Sequence, residues 1–471
     1  MPSGEVSTNR RALVLLFLLV WGIYGSLTDL WDQYGYNLMH AGVEAFAERG
    51  HFFLEGSRTP KFVQIENAPP VVGEQVSTDT FRYNGRLYPV KQPGMFLVAA
   101  VFYKPLSLLG ISYEREYNLA TVLVSWLTSG LLAALVVALL FSQALGEGLE
   151  TRPALIVALS LGFSSIFFPY SGLLHHDLLS SCFLYIAYFL TLAQRGGNLK
   201  SWVRFFAGGI LAGYAFTTSA PAVLFLVPFA IAIVWAKGRK SLVLFILGYF
   251  LGILPLLIYN AVCFGNPFLM ANRVAQDATT HPGFSLSRIF EKFSWYFLNP
   301  RTALWSFSPV LYFAFAGLAV RAFMKKKDAV LLLGGTALFL LGVFSIPTHG
   351  GASFGPRYLL PVLPFLAVGL IPVLKWIHTP EDHSVARLRR IVWVLLGIAF
   401  CAGILISFSG AVRGTMYGME GHPFVYRLRI GMGLSGSQET PGAFPLLYPI
   451  ILIASALFYF LPEKILSQKR D

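Results

Sequence analysis

The chain has 471 residues, of which 55% are hydrophobic, 15% aromatic and only 13% charged, and its mean hydropathy is +0.63. Soluble domains carry about 25% charged residues, so a water-facing surface is excluded, as are disorder by the apolar content, a disulfide scaffold by three cysteines and a coiled coil by 44 glycines and 27 prolines. The net charge of +13, from 36 Lys+Arg against 23 Asp+Glu, falls in short runs between apolar stretches, which is the pattern of membrane topology and not of nucleic-acid binding.

Apolar stretches near the ~20 residues of a helical span recur at about 12–28, 117–142, 153–170, 178–193, 203–218, 220–236, 241–262, 303–321, 329–346, 358–376, 391–410 and 445–462. The first follows Arg10-Arg11 without a small-residue cleavage site, which predicts a signal anchor. A thirteenth stretch, Pro93 to Gly110, is short and interrupted by Lys104-Pro105, and parity decides its fate. If it crossed, the basic runs Lys237 to Lys240 and Arg321 to Lys327 would fall outside. If it lies along the interface, they fall inside with Arg152, Lys200, Arg204, Arg387, Arg389 and Arg390. The positive-inside rule thus predicts an all-α polytopic protein of about 12 transmembrane helices, with both termini cytoplasmic and an interfacial helix at 93–110.

The whole chain, 1–471, reads as one membrane-embedded domain with three long outer segments, 29–116, 263–302 and 411–444. Loops of that length are uncommon unless functional. Most of the histidines (His40, His51, His175, His176, His281, His349 and His422) also fall outside, so any chemistry is expected to face outward. Cys182, Cys263 and Cys401 lie in or beside apolar segments without ligand spacing and read as inert packing residues.

Directly after the first span come Asp29 and Asp32, three apart and on one face if the helix continues. A carboxylate at the mouth of a span is either placed for use or a solvated cap. Met39, Val43, Phe46 and Ala47 recur at helical spacing, with Glu44, Glu48 and Arg49 between them, which predicts an amphipathic helix on the membrane surface. Asn84-Gly85 between aromatic residues predicts a hairpin over Phe81 to Tyr88. Lys91 then sits at headgroup height, where it meets a phosphate or merely snorkels. His175-His176-Asp177 occupies a short outer turn. Adjacent histidines diverge on a helix and no third ligand is evident, so a hydrogen-bonded polar turn is favoured over a divalent metal. Asp277 and His281 read as exposed loop residues, and Arg413, Tyr417, His422, Arg427 and Arg429 populate the third outer segment.

An acidic residue after the first span, an aromatic hairpin and a Pro93-Gly94-led interfacial helix together resemble membrane glycosyltransferases of the GT-C fold. Protein O-mannosyltransferases, aminoarabinose transferases and RgtA-like transferases are the groups it is most similar to. Tyr259-Asn260, followed by Phe264-Gly265-Asn266-Pro267, resembles the Tyr-Asn…Phe-Gly-x-Pro step of uncharacterised bacterial members. Gly355-Pro356-Arg357-Tyr358-Leu359-Leu360-Pro361 resembles their Gly-x-Arg-Tyr-Leu-Leu-Pro lead-in to a late span. Gln33 stands where many members have glutamate, and Gln92 where many have proline.

The resemblance implies a polyprenyl-phosphate-linked sugar as donor and no certain cofactor. It implies a lipid, glycan or protein acceptor, inverting transfer, and a site on the outer (or lumenal) face; the lack of N-x-S/T sequons and the short inner loops point to a bacterial inner membrane. It places the catalytic carboxylate on Asp32 or Asp29, and such chemistry needs a base for the acceptor and fixed positive charge for the departing phosphate. Arg357 is the first candidate for the phosphate, with Lys91 and Arg301 behind it. His175, His176, Asp177, Tyr88 and His349 are candidate substrate contacts. Two other classes share the span count: a transporter or flippase for a lipid-linked glycan, which should carry ionisable residues inside its spans, and a non-catalytic lipid-binding subunit.

Overall fold

The computed structural model describes residues 3–28, 34–59, 80–194, 199–274, 286–346, 353–379, 385–413 and 415. Asp29, Asp32, Asp277, His281, His349, nearly all of the third outer segment and the apolar stretch 445–462 lie outside the described residues.

In chain order come α1 (Ser3–Ser26), α2 (Tyr34–Arg49), the hairpin β1 (Thr80–Tyr83) and β2 (Arg86–Pro89), and α3 (Gly94–Leu108). They are followed by α4 (Tyr117–Gly146), α5 (Thr151–Gly162), α6 (His176–Ala193), α7 (Ser201–Thr218), α8 (Ala220–Lys237) and α9 (Arg239–Phe264). The described part closes with α10 (Leu311–Phe323), α11 (Val330–Ser345), α12 (Arg357–His378) and α13 (Ala386–Arg413). Six of these, α4, α6, α8, α9, α12 and α13, are long and apolar enough to cross a membrane, and α3, α5, α10, α11 and residues 11–26 of α1 are shorter apolar helices. The chain is an integral membrane protein. Its helices divide into central ones such as α6, buried along almost every residue, and peripheral ones such as α9, whose Leu247, Phe250, Leu254 and Ile258 are exposed. Apolar side chains in that number are stable against lipid tails, not water.

Without a hydrophobic force between helices in lipid, close backbone approach takes over. The helices α7 and α9 cross on four glycines, two on each at i, i+4 spacing: a Cβ on Gly209 or Gly213 would overlap the carbonyls of Phe245 or Tyr249, and one on Gly248 or Gly252 those of Phe206 or Ile210. The hairpin forms where Asn84-Gly85 demands it. Both residues have positive φ (49° and 77°), and Tyr83 pairs with Arg86 across them, the geometry of a two-residue turn that matches strand twist.

The α2 helix is present as expected, but two of its polar residues, His40 and Glu44, are not on a wet face, while Glu48 is exposed. Glu44 and His40 are both buried; Glu44 is paired with Arg49 at 3.1 Å, and His40 Nδ1 meets the Tyr113 hydroxyl at 2.8 Å. Tyr103 of α3 donates to Glu48 Oε1 (2.5 Å). The segment after α3 thus covers His40, and Tyr103 of α3 reaches the exposed Glu48. Because α6 runs 18 residues from His176 to Ala193, its ends stand about 27 Å apart, and they define two chemically distinct ends of the bundle.

Candidate active site

At the His176 end, four separate pieces of chain converge. The first is the turn before α6. Gly172 packs so closely on the end of α1 that a Cβ there would lie 2.5 Å from the Leu27 carbonyl oxygen and 3.2 Å from Thr28 Cα. Thr28, the last described residue before the first-loop aspartates, thus abuts the turn that carries the histidines. His175 is extended (φ −131°, ψ 122°) and His176 opens the helix. The two rings therefore stack at 4.9 Å instead of diverging, which corrects the helical argument made from sequence. Ligand atoms of His175, His176 and Asp177 all lie within 4.8 Å of one another. These three are the described residues that could hold a metal ion.

The second piece is the α7–α8 junction, where Ser219 donates to Asp177 Oδ1 (3.0 Å) and His176 Nε2 stands 3.4 Å from the same oxygen. Asp177 Oδ2 is buried with no hydrogen-bond partner among the described residues. Asp177 also lies in the first turn of α6, where the helix dipole favours negative charge.

The third is the lead-in to α3. A Cβ on Gly94 would meet Thr218 Oγ1 at 2.5 Å and the Thr217 carbonyl at 2.8 Å, while Tyr214 of α7 donates to the Gly94 carbonyl (2.9 Å). Only glycine allows that approach. It locks the chain just after Lys91 to the end of α7. The fourth is the start of α12. Gly355 has φ +70°, and a Cβ there would strike Ile166 and Phe307 at 2.8 and 2.9 Å. Tyr170 donates to the Phe354 carbonyl (3.2 Å) and Ser181 to that of Leu360 (2.9 Å). These bonds seat Arg357 against α6.

The electrostatics confirm the convergence. Burial first, then the charge of His176, hold His175 well below the ordinary histidine value, with Arg357 and Lys91 acting in the same sense and Asp177 opposing them. His175 is therefore neutral. Tyr296, fully buried in the second long outer segment, is pushed above the ordinary phenol value by burial, with Tyr358, Arg357 and Asp177 all acting on it. Its hydroxyl has no hydrogen-bond partner among the described residues. Two cations and one carboxylate, with His175 neutral, leave this cluster net positive, a setting for an anion more than for a bare cation.

Lys91, His175, His176, Asp177 and Arg357 are thus brought together. Arg301 is exposed, its backbone N–H donating to Asn299 Oδ1 (2.9 Å), and another expected residue, Tyr88, stands apart. Tyr88 is buried in a separate aromatic cluster, stacked on Phe81 at 5.8 Å and edge-on to Phe264 at 5.6 Å. Sequence reasoning missed Ser219 and Tyr296. The polar run Thr217-Thr218-Ser219 between two apolar stretches signalled the first; nothing in the pattern around Tyr296 signalled the second.

No family model matches the chain, and no curated protein does. Among solved structures, ArnT from Cupriavidus metallidurans bound to undecaprenyl phosphate superposes on 98% of this chain and 73% of its own, at 16% identity and a TM-score of 0.52. An oligosaccharyltransferase from Archaeoglobus fulgidus, tethered with an acceptor peptide containing the NVT sequon, matches 86% of this chain and 55% of its own, at 13% identity and a TM-score of 0.49. Both are membrane glycosyltransferases of the GT-C fold. On the ArnT superposition the chain has that fold, as its motifs implied: a helical membrane protein.

Proposed function

We propose that the chain is a glycosyltransferase that moves a sugar from a polyprenyl-phosphate-linked donor to an acceptor hydroxyl or amine. The observation that carries this reading is the meeting of Arg357, Lys91 and the buried Tyr296 hydroxyl around Asp177 and His175, at the end of the bundle where α1 hands the chain on to Asp29 and Asp32. In this reading a first-loop carboxylate, Asp32 before Asp29, takes the acceptor proton. The acceptor attacks the anomeric carbon, the bond from that carbon to the phosphate oxygen breaks, and its electron pair leaves on the phosphate. Arg357 and Lys91 stabilise that anion and Tyr296 donates to it, interactions that strengthen as charge develops. A single displacement inverts the anomeric centre. His175, neutral and buried, and Asp177 order the acceptor side; a divalent ion on His175, His176 and Asp177 is the less favoured arrangement beside two cations.

The topology proposed with it has twelve spans, the segments 29–116, 263–302 and 411–444 on the extracytoplasmic face, and a bacterial inner membrane as host. Ion-coupled transport is less well supported, because the charges buried within the described apolar helices, Asp177 and Arg321, each sit in an end turn, and Arg321 is paired with Glu147 and Asp328. The test is native mass spectrometry of detergent-purified wild type and Arg357→Ala. Undecaprenyl phosphate should bind the wild type and be lost about tenfold or more in the variant. Equal binding by both would remove Arg357 from the site.

A further inference from the structure

We propose that the end of the bundle opposite the histidine–arginine cluster carries a second site, which binds the phosphorylated headgroup of an anionic lipid. The inference is independent of the glycosyltransferase reading. A cavity of about 400 Å³ opens there, lined by Arg204, Lys237, Arg321, Lys325, Lys326 and Lys327 from three separate parts of the chain. Two carboxylates share the wall, Glu147 and Asp328, and both are already engaged. Arg321, itself buried, bonds Glu147 Oε2 at 2.6 Å and Asp328 Oδ2 at 2.5 Å. Tyr188 donates to the same Asp328 oxygen (2.8 Å) and Gln143 to Glu147 Oε1 (3.0 Å). Arg204 is held by the carbonyls of Leu190 (2.8 Å) and Gln194 (3.0 Å).

The acids thus fix the floor of the cavity instead of neutralising its rim. None of the four lysines has an ion-pair partner among the described residues. Topology alone accounts for lysines on one side of a membrane; it does not require them to converge on a concavity with a built, hydrogen-bonded floor. A phosphate group supplies the charge that this arrangement lacks, and basic pockets between membrane helices are suited to such headgroups.

The rim decides between a lipid and a free phosphate. Leu199, Trp202, Trp235, Phe323 and Met324 are each more than half exposed, and each lies within a few residues of a lining cation in sequence. Exposed apolar groups at the same helix ends as the lining cations fit an amphiphile whose head enters the cavity and whose chains lie on the neighbouring helix faces. A free anion has no use for them.

The experiment titrates the full-length, detergent-purified chain with phosphatidylglycerol, phosphatidylcholine and inorganic phosphate, with binding read by native mass spectrometry. The wild type should bind phosphatidylglycerol in preference to phosphatidylcholine, and less so as salt rises. Each lysine near an anionic headgroup is worth about fivefold, so Lys325→Asn, Lys326→Gln and Lys327→Gln combined should weaken it about a hundredfold. Asparagine is chosen because Lys325 has φ 51°, which asparagine tolerates. Lys237→Gln, on another segment, should lose about fivefold and serves if the triple variant fails to fold; Lys104→Gln, on α3, should lose nothing. Equal binding of the two lipids, or undiminished binding by the folded variants, overturns the proposal. Displacement of the lipid by millimolar phosphate would assign the cavity to free phosphate and overturn it as well.

Discussion

Tyr296 brings a hydroxyl into the interior and leaves it without a hydrogen-bond partner among the described residues, in the field of Arg357 and Asp177. A buried, unmade hydrogen bond costs about 1–3 kcal/mol, so folding alone gives no reason to keep it. Tyr296→Phe is therefore expected to leave the melting temperature unchanged or slightly raised, while undecaprenyl phosphate binding falls about tenfold, the worth of a hydrogen bond to a charged group. A loss of stability with binding intact would make Tyr296 a packing residue. Ser219→Ala separates a second role. It removes the donor to Asp177 Oδ1 and is expected to cost about 1 kcal/mol, read as a lower melting temperature. At this scale the sequence was partly legible. Gly94 and Gly355 announced themselves by standing beside Pro93 and Pro356, yet what they allow, close contact with α7 and with Ile166, depends on atoms more than a hundred residues away.

The crossing of α7 and α9 is the clearest case in which an element's position rests on what is missing from it. Adding a methyl at Gly248 sets it against the Phe206 carbonyl, which is backbone and cannot rotate away. Gly248→Ala is expected to cost about 1–3 kcal/mol, read as a lower melting temperature in detergent. Gly397, with nothing within 4 Å of its would-be Cβ, is the control: Gly397→Ala should be neutral or stabilising by about 1 kcal/mol. The elements themselves were readable because their signals are local. Asn84-Gly85 fixes the hairpin turn, and long apolar runs fix the spanning helices. The burial of His40 was not readable, because its cover comes from Tyr113, a partner that the periodicity of α2 does not name. For the same reason His175 and His176 were expected to diverge: spacing assumes a helix, and the backbone at His175 is extended.

At the scale of the whole molecule, the sequence segregates its charges, and the fold turns that segregation into two ends. His175, His176 and Arg357 meet at one, and Lys237 and Lys325 to Lys327 gather at the other, because long apolar helices such as α6 carry the chain from end to end. That alternation was legible; the depth to which the fold buries individual groups was not, and it has a consequence for stability. Burial holds His40 at about 3 and His175 well below its ordinary value, whereas in the unfolded chain both titrate near 6.5. Below about pH 6.5 the unfolded chain therefore binds more protons than the folded one. The stability that these neutral histidines allow is fully present above that pH and is lost as the pH falls, by up to about 1.4 kcal/mol per unit for each. Glu44, one helical turn from His40, runs the other way: burial raises its carboxyl, so protonation on acidification relieves part of the cost. The net expectation is a melting temperature that drops between pH 7 and pH 5 in detergent. His40→Gln, which keeps a polar group opposite Tyr113 but cannot take up the proton, should flatten that slope whatever it does to the melting temperature at pH 7. A slope unchanged by the substitution would mean that His40 is hydrated, and that the cover over α2 is looser than its packing against Tyr103 and Tyr113 indicates.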